Sequence, residues 1–509
     1  MFRLPLLSAL AIWFSAAALP AREFTVLTYN VENLFDADGL AAFEDYKETG
    51  GPNSYTRAHA LEKIRTIGRV LGTFNGGQGP EVVLLNEIEI DFSPDSRAGD
   101  LKKFLGDYSG TTLEKMLGKG FDGRVKGLPS EALLLKHLED SGLKGYHVAV
   151  GADAPDLASL DAGDGRRVRA QKNAVFSKFP ITAVRSHPAA DARDILEATL
   201  DVDGKPFTVF ANHWKSGASD PESEATRREN AKVLRARLDE IFAADPSADV
   251  LVAGDFNSNH NQSAVLPALE PTAVNTILGS HGDEAATAAA QGPSLYNLWY
   301  ELPPHERGSE HHRGRWGTLM QKMLPPGLYD RNGIQYVDNS FSRVVLPGLN
   351  AATPLRLPRR WTNAGAQGGG ASDHFPVAAR FRTVGDGDKE TRLKPVNPGS
   401  DAGEPAQPLE IDYRSIKKGS VPAFSGADAA DPGGRIGEVF LVKGRVVSEK
   451  PTVVVAAGGN FEVFSHDGAL RQRMDSWKPG DMVEFLGQFG MHRGRLQFVV
   501  HDGSWIVGK

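Results

Sequence analysis

Between residues 24 and 381 the chain repeats one theme that leaves few ways to fold it. Short apolar runs of β type each end in a polar residue, with helical patterns and long loops between them. Residues 24–29 end at Asn30, and residues 81–85 lead into Asn86-Glu87. Residues 174–176, 207–211, 250–253 and 377–381 read the same way, as buried-type strands. Residues 58–71 have helical period, with Leu61, Ile64, Ile67, Val70 and Leu71 on one face. Strands mixed with helices in this manner predict a layered α/β domain. Residues 91–142, 152–169 and 258–317 are long polar connections, expected to be functional or disordered loops.

A chain of 509 residues exceeds one ordinary core, so more than one domain is expected. Residues 384–408 mix Gly and Pro with charges, which is linker composition. Beyond them, residues 439–447, 452–456, 460–465, 481–489 and 495–500 are five strand candidates separated by tight turns. Five strands in that space predict a small barrel of the OB type. At the other end, Arg3 precedes an apolar run over residues 4–18 and then small residues, the pattern of a signal peptide. No later stretch approaches the roughly 20 apolar residues of a membrane span, so no stable insertion is expected once the signal is removed. There is no cysteine and so no disulfide. The expected division is a signal peptide over 1–21, a catalytic domain over 22–383, a linker over 384–408 and a barrel over 409–509. The expected location is the periplasm or the medium.

Six segments place a carboxylate, amide or imidazole just beyond an apolar run. They contain Asn30; Glu87; His213; Asp255 and Asn257; Asp338; and Asp373 with His374. Strand ends converge at one edge of a sheet, so residues far apart in sequence can share a site. Oxygen ligands such as Asn30, Glu87 and Asp373 suit Mg2+ or Mn2+. Asp255 is placed to take a proton from water, and His213 and His374 to hydrogen-bond a phosphate oxygen. A metal, a base and two imidazoles around one point suit in-line phosphoryl displacement. The net charge of −7 excludes a polycation built to coat nucleic acid. A phosphate-cleaving enzyme of this charge needs local positive groups or a bound cation.

The pieces "YNVENLF", "LLNEIE", "NAVFSKFPI", "FANHWKSG", "VAGDFNS" and "SDHFPVAARF" stand in one order. That order resembles the endonuclease/exonuclease/phosphatase superfamily. The "EHHRGRW" stretch and the C-terminal barrel look like its secreted bacterial nucleases. The resemblance implies an α/β four-layer sandwich, two packed β-sheets flanked by helices, with the site at one end. It implies Glu87 as principal metal ligand with Asn30 and Asp373 beside it, and Mg2+ (or Mn2+) as cofactor. Asp255 would orient or deprotonate the attacking water, Asn257 position the phosphate, and His213 and His374 stabilise developing charge. Asp338 would hold His374 in one tautomer, with Asp330 the alternative, because the Asp that relatives carry soon after Trp316 is missing here. Arg169 and Lys172 are expected to contact substrate phosphate. On the barrel, Arg493 and Arg495 flank a tight turn and are candidates for binding a strand. Phe485 and Phe498 are expected in its core. The expected function is a secreted, divalent-metal-dependent nuclease acting on DNA or RNA, with no protein partner. The alternative is a secreted phosphatase or sphingomyelinase-like phospholipase of the same superfamily.

Overall fold

A computed structural model of the protein describes residues 21–49, 54–93, 99–151, 170–290, 292–384 and 409–508. Residues 1–20 of the expected signal peptide, 385–408 of the expected linker, and Arg169 lie outside them.

The first sheet holds β1 (Glu23–Leu34), β2 (Val82–Glu89), β3 (His147–Val150), β4 (Gln171–Ser177), β14 (Ile334–Tyr336), β15 (Ser342–Arg343) and β18 (Val377–Thr383). Their order is β14-β18-β1-β2-β4-β3, with β15 also pairing β18. The second holds β5 (Ile181–His187), β6 (Ile195–Val202), β7 (Lys205–His213), β8 (Val250–Asp255), β9 (Ser280–His281), β10 (Leu295–Asn297) and β13 (Met320–Leu324). Their order is β5-β6-β7-β8-β13-β10-β9, and β16 (Ala351–Ala352) pairs with β17 (Leu357–Pro358) outside both sheets.

Strand alternation explains why these runs read as continuously apolar. Val26, Val82 and Leu84 pack between the sheets against Val209, Ala211, Leu251 and Ala253. Their neighbours Leu27, Tyr29, Val83 and Leu85 point the other way, onto a helical layer. That layer contains the helix Arg57–Leu71, capped by Thr56 and His59, and the helix Ser130–Asp140. On the far side, the helix Pro221–Ala244 covers the second sheet through Ala231, Leu234, Leu238 and Phe242. The four layers expected from the resemblance are therefore present. Residues 91–142, expected as loop, instead carry four helical segments, among them Leu101–Asp107 and Leu113–Leu117. Residues 258–317 likewise hold short helices, β9, β10 and a two-stranded hairpin of β11 (Glu310–His312) and β12 (Arg315–Gly317).

The C-terminal part forms a third core, around Phe440, Phe461, Phe485, Phe489, Phe498 and Trp505. Its strands are β19 (Val439–Glu449), β20 (Thr452–Ala456), β21 (Gly459–Phe464), β22 (Met482–His492), β23 (Arg495–Val499) and β24 (Ile506–Gly508). Pairing of β19 with β22 closes five strands into a barrel, and β24 adds to β22. The barrel touches the sandwich: Val439 N–H donates to the Thr353 carbonyl at 3.1 Å, and Arg359 lies 3.8 Å from Glu438. No helix of the described residues is long and apolar enough to cross a membrane.

Candidate active site

Each large sheet has one parallel pair at its centre, β1 with β2 and β7 with β8. The ends of these four strands meet. Asn30 Nδ2 donates to Glu87 Oε1 and to Asp255 Oδ2, both at 3.0 Å, and so bridges the two sheets. Behind it, Asn86 Nδ2 donates to the Asn212 carbonyl at 2.9 Å and Asn173 Nδ2 to the Ala211 carbonyl at 3.1 Å. These buried amides satisfy backbone groups across the sandwich and hold its open end in register.

Local backbone geometry aims the acids. Glu87 sits where the β1–β2 and β2–β4 registers shift, with φ 65°, a bulge that turns its side chain out of the pleat. Its second oxygen accepts the Asn33 N–H at 3.0 Å. Asp255 follows Gly254, whose φ is 141° and where a Cβ would lie 2.1 Å from the Asn212 carbonyl oxygen. Only glycine lets β7 and β8 approach this closely. Asp255 Oδ1 accepts the Asn257 N–H at 2.9 Å, closing a turn in which Asn257 has φ 48°. Asn257 Nδ2 donates to the Trp214 carbonyl at 3.0 Å.

Two imidazoles flank the acids. His213 Nε2 lies 3.8 Å from both Glu87 Oε1 and Asp255 Oδ2. His374 Nε2 lies 3.6 Å from Asp255 Oδ2 and 3.7 Å from Asp373 Oδ1. Their acidities diverge. Burial, with Arg193 and His374 nearby, pulls His213 well below the usual imidazole range. Burial opposes charge on His374 too, but Asp373, Asp255, Glu310 and Glu87 outweigh it and push His374 up to about 9. At neutral pH one imidazole is neutral and the other carries a proton. Such divergence between neighbours separates acid and base roles.

The Ser372-Asp373-His374 segment is tied to the end of β1. Ser372 Oγ donates to the Asn30 carbonyl at 2.7 Å. Buried Lys63 donates to the Glu32 carbonyl at 2.6 Å and to the Ala371 carbonyl at 3.3 Å. Glu87 and Asp373 then face one another, and burial, followed by Asp373, raises Glu87. Two carboxylates crowded together, one 16% and one 40% exposed, fit a hard divalent cation that would relieve their repulsion.

Four residues stand otherwise than expected. Asn30 does not offer its oxygen as a metal ligand, because Oδ1 accepts the Glu32 N–H at 2.9 Å and the amide nitrogen faces the acids. Asp338 does not hold His374. It follows β14, where Val337 N–H bonds the Arg380 carbonyl well along β18, whereas His374 precedes that strand. Asp330 lies in a turn, accepting the Asn332 N–H at 2.7 Å. Lys172 is buried against Glu131 at 3.1 Å, at the start of the helix Ser130–Asp140. Arg493 and Arg495 are exposed at the β22–β23 turn.

The group facing His374 is Glu310, whose Oε2 lies 3.7 Å from Nδ1. Glu310 starts the β11–β12 hairpin and accepts from Ser309 Oγ and the Leu319 N–H. Gly317, its partner across the hairpin, leaves it room: a Cβ there would lie 1.9 Å from Glu310 Oε1. Burial raises Glu310 to about 7. Arg193 was also not foreseen. It hydrogen-bonds Gln171 and influences both Glu87 and His213.

A model of the endonuclease/exonuclease/phosphatase family matches residues 137–383. No curated protein matches the sequence. Among solved structures, a humanized D. rerio TDP2 shares 13% identity over 71% of this chain and 99% of its own, with a TM-score of 0.37. TDP2 from Caenorhabditis elegans, in truncated form, shares 12% over 70% and 97%, at 0.36. The human nocturnin catalytic domain, with bound sulfate, shares 14% over 70% and 93%, at 0.37.

Proposed function

We propose that this chain, a phosphoesterase whose catalytic domain belongs to the endonuclease/exonuclease/phosphatase family, is an exported nuclease that hydrolyses phosphodiester bonds of DNA or RNA with the help of Mg2+ or Mn2+. The observation that carries the reading is the meeting of Glu87, Asp373, Asp255, His213 and His374 at one end of the sandwich. Export rests on the basic and then apolar pattern of residues 1–21.

Glu87 and Asp373 would hold the cation, which when bound neutralises charge on the phosphoryl group. Asn30 fixes Glu87 and Asp255 at their spacing. Asp255, with one oxygen anchored on the Asn257 N–H, accepts the proton of the attacking water. His374, protonated at neutral pH, donates to a phosphoryl oxygen as charge builds there. Neutral His213 adds a hydrogen bond without adding charge. Glu310 faces the His374 ring from its Nδ1 side, 3.7 Å away. Exposed Arg493 and Arg495 offer the barrel a positive turn for a nucleic-acid backbone.

The test is hydrolysis of plasmid, RNA, a phosphomonoester and sphingomyelin, before and after exhaustive chelation. Cleavage of the polynucleotides that EDTA abolishes and Mg2+ restores supports the reading. Full activity after chelation overturns the metal, and cleavage of sphingomyelin or the monoester alone overturns the substrate.

A further inference from the structure

We propose that Glu284, Glu301 and Asp338 form a second cation site, of the Ca2+ type, separate from the catalytic acids. One oxygen from each lies within 4.8 Å of the others. Oxygens bound to Ca2+ sit about 2.3–2.6 Å from the ion, so opposed ligands lie about 4.6–5.2 Å from one another. The elements that supply them are distant in sequence. Glu284 begins a short helix (Glu284–Ala289), Glu301 ends a 3-10 turn (Leu298–Glu301), and Asp338 follows β14.

The cluster differs from an ordinary acidic patch in two ways. Glu284 and Glu301 are 1% and 6% exposed. Glu284 Oε2, Glu301 Oε1 and Asp338 Oδ1 are all buried without a hydrogen-bond partner. Independently, the Tyr296 side chain is fully buried, its hydroxyl also lacks a partner, and it feels Glu301, Glu284 and Asp338 as its nearest acids. Three clustered acids and the tyrosine beside them thus each keep one buried oxygen without a partner. Leaving even one polar group in that condition costs about 1–3 kcal/mol.

Neighbouring groups hold the acids in place without neutralising them. Tyr329 donates to Glu284 Oε1 at 3.1 Å and Tyr336 to Glu301 Oε2 at 2.6 Å. The leading influences on the three carboxyls are burial, hydrogen bonds and one another. Burial, then the neighbouring acids, raises Glu284 to about 7 and Glu301 to about 8. A hard dication is the ligand that satisfies three buried carboxylate oxygens and their charge together. Its structural effect is to clamp the segment carrying Glu284 and the turn carrying Glu301 to the loop after β14.

The experiment uses the full chain carrying Glu87→Gln, so that catalytic metal binding is weakened. Tb3+ is titrated with excitation of the surrounding tyrosines, and thermal unfolding is followed with Ca2+. Sensitised Tb3+ emission that Ca2+ displaces, with a Ca2+-dependent rise in Tm, is expected. Glu301→Gln and Asp338→Asn should each weaken Tb3+ binding by more than the roughly 10–100-fold that loss of a supporting group costs a metal site. Both should also lose the Ca2+ response of Tm while unfolding at or above the metal-free parent. Emission and Ca2+ response unchanged in both variants, or absent from the Glu87→Gln parent, would overturn the site.

Discussion

Replacing Glu310 with Gln isolates what that carboxylate does to His374. At 3.7 Å, two unit charges in an effective dielectric of about 20 interact by about 4 kcal/mol, or about three pKa units. Three other acids also bear on His374, and Glu310 is itself raised to about 7, so the full interaction holds only once Glu310 is ionised. We therefore expect a fall in the His374 pKa of about one unit or more. The sign is fixed. His374 is raised, so its protonated form persists below about 9 and is lost as pH rises through that value. The alkaline limb of kcat against pH should move down in Glu310→Gln, with kcat near pH 8.5 reduced by about 3-fold or more. The acid limb should not move. Gln keeps the shape and removes an acid that burial already disfavours, so Tm should not fall. Histidine-selective 15N NMR reads the same titration without turnover. A wild-type alkaline limb in a folded Glu310→Gln enzyme would refute the pairing.

Asp255→Asn should lower kcat by about 100-fold or more while leaving folding intact, checked by single-turnover hydrolysis and circular dichroism. Gly254→Ala should destabilise by about 3 kcal/mol or more, since its Cβ would meet the Asn212 carbonyl at 2.1 Å; urea denaturation measures this. Lys172→Met should leave Glu131 as an unpaired buried acid, so Tm should fall while KM for long nucleic acid stays put, and a raised KM with unchanged Tm would return Lys172 to the substrate. Arg493→Ala with Arg495→Ala should weaken polynucleotide binding and flatten its salt dependence, with a small phosphodiester dye cut as before.

The strand ends were legible because a strand buried on both faces must be apolar throughout, and the first polar residue marks where it leaves the core. Asn30, Glu87, His213 and Asp255 all announce themselves this way, and all reach the site. Asp338 carries the same mark, but β14 pairs with the far part of β18, so its end opens elsewhere. Local pattern does not encode register against a strand 40 residues on. Lys172 and Asn173 differ by one residue, and period-two alternation sends Asn173 between the sheets and Lys172 outward. Glu310 opens the "EHHRGRW" stretch but follows no apolar strand, so its sequence assigned it no role. Its hairpin is polar, and its meeting with His374 is set by tertiary placement. The barrel strands were legible from turns and alternation, save Ile506–Gly508, too short to show a period.

The hairpin bearing Glu310 has a second neighbour. Trp316 N–H bonds the Leu409 carbonyl, and Ile411 N–H bonds the Gly314 carbonyl, both at 2.8 Å. The chain entering the C-terminal domain is thus stitched along β12 like a third strand, with Arg315 opposite Glu410. The same small ribbon faces His374 at one end and the barrel's lead-in at the other. Removing the C-terminal domain would leave that ribbon with a bare edge, a conformationally looser Glu310 and a template for unwanted pairing. A truncated enzyme would then be slow as well as weak-binding. Transplanting the barrel onto another catalytic domain would carry its exposed arginine turn but leave its hand on the imidazole behind.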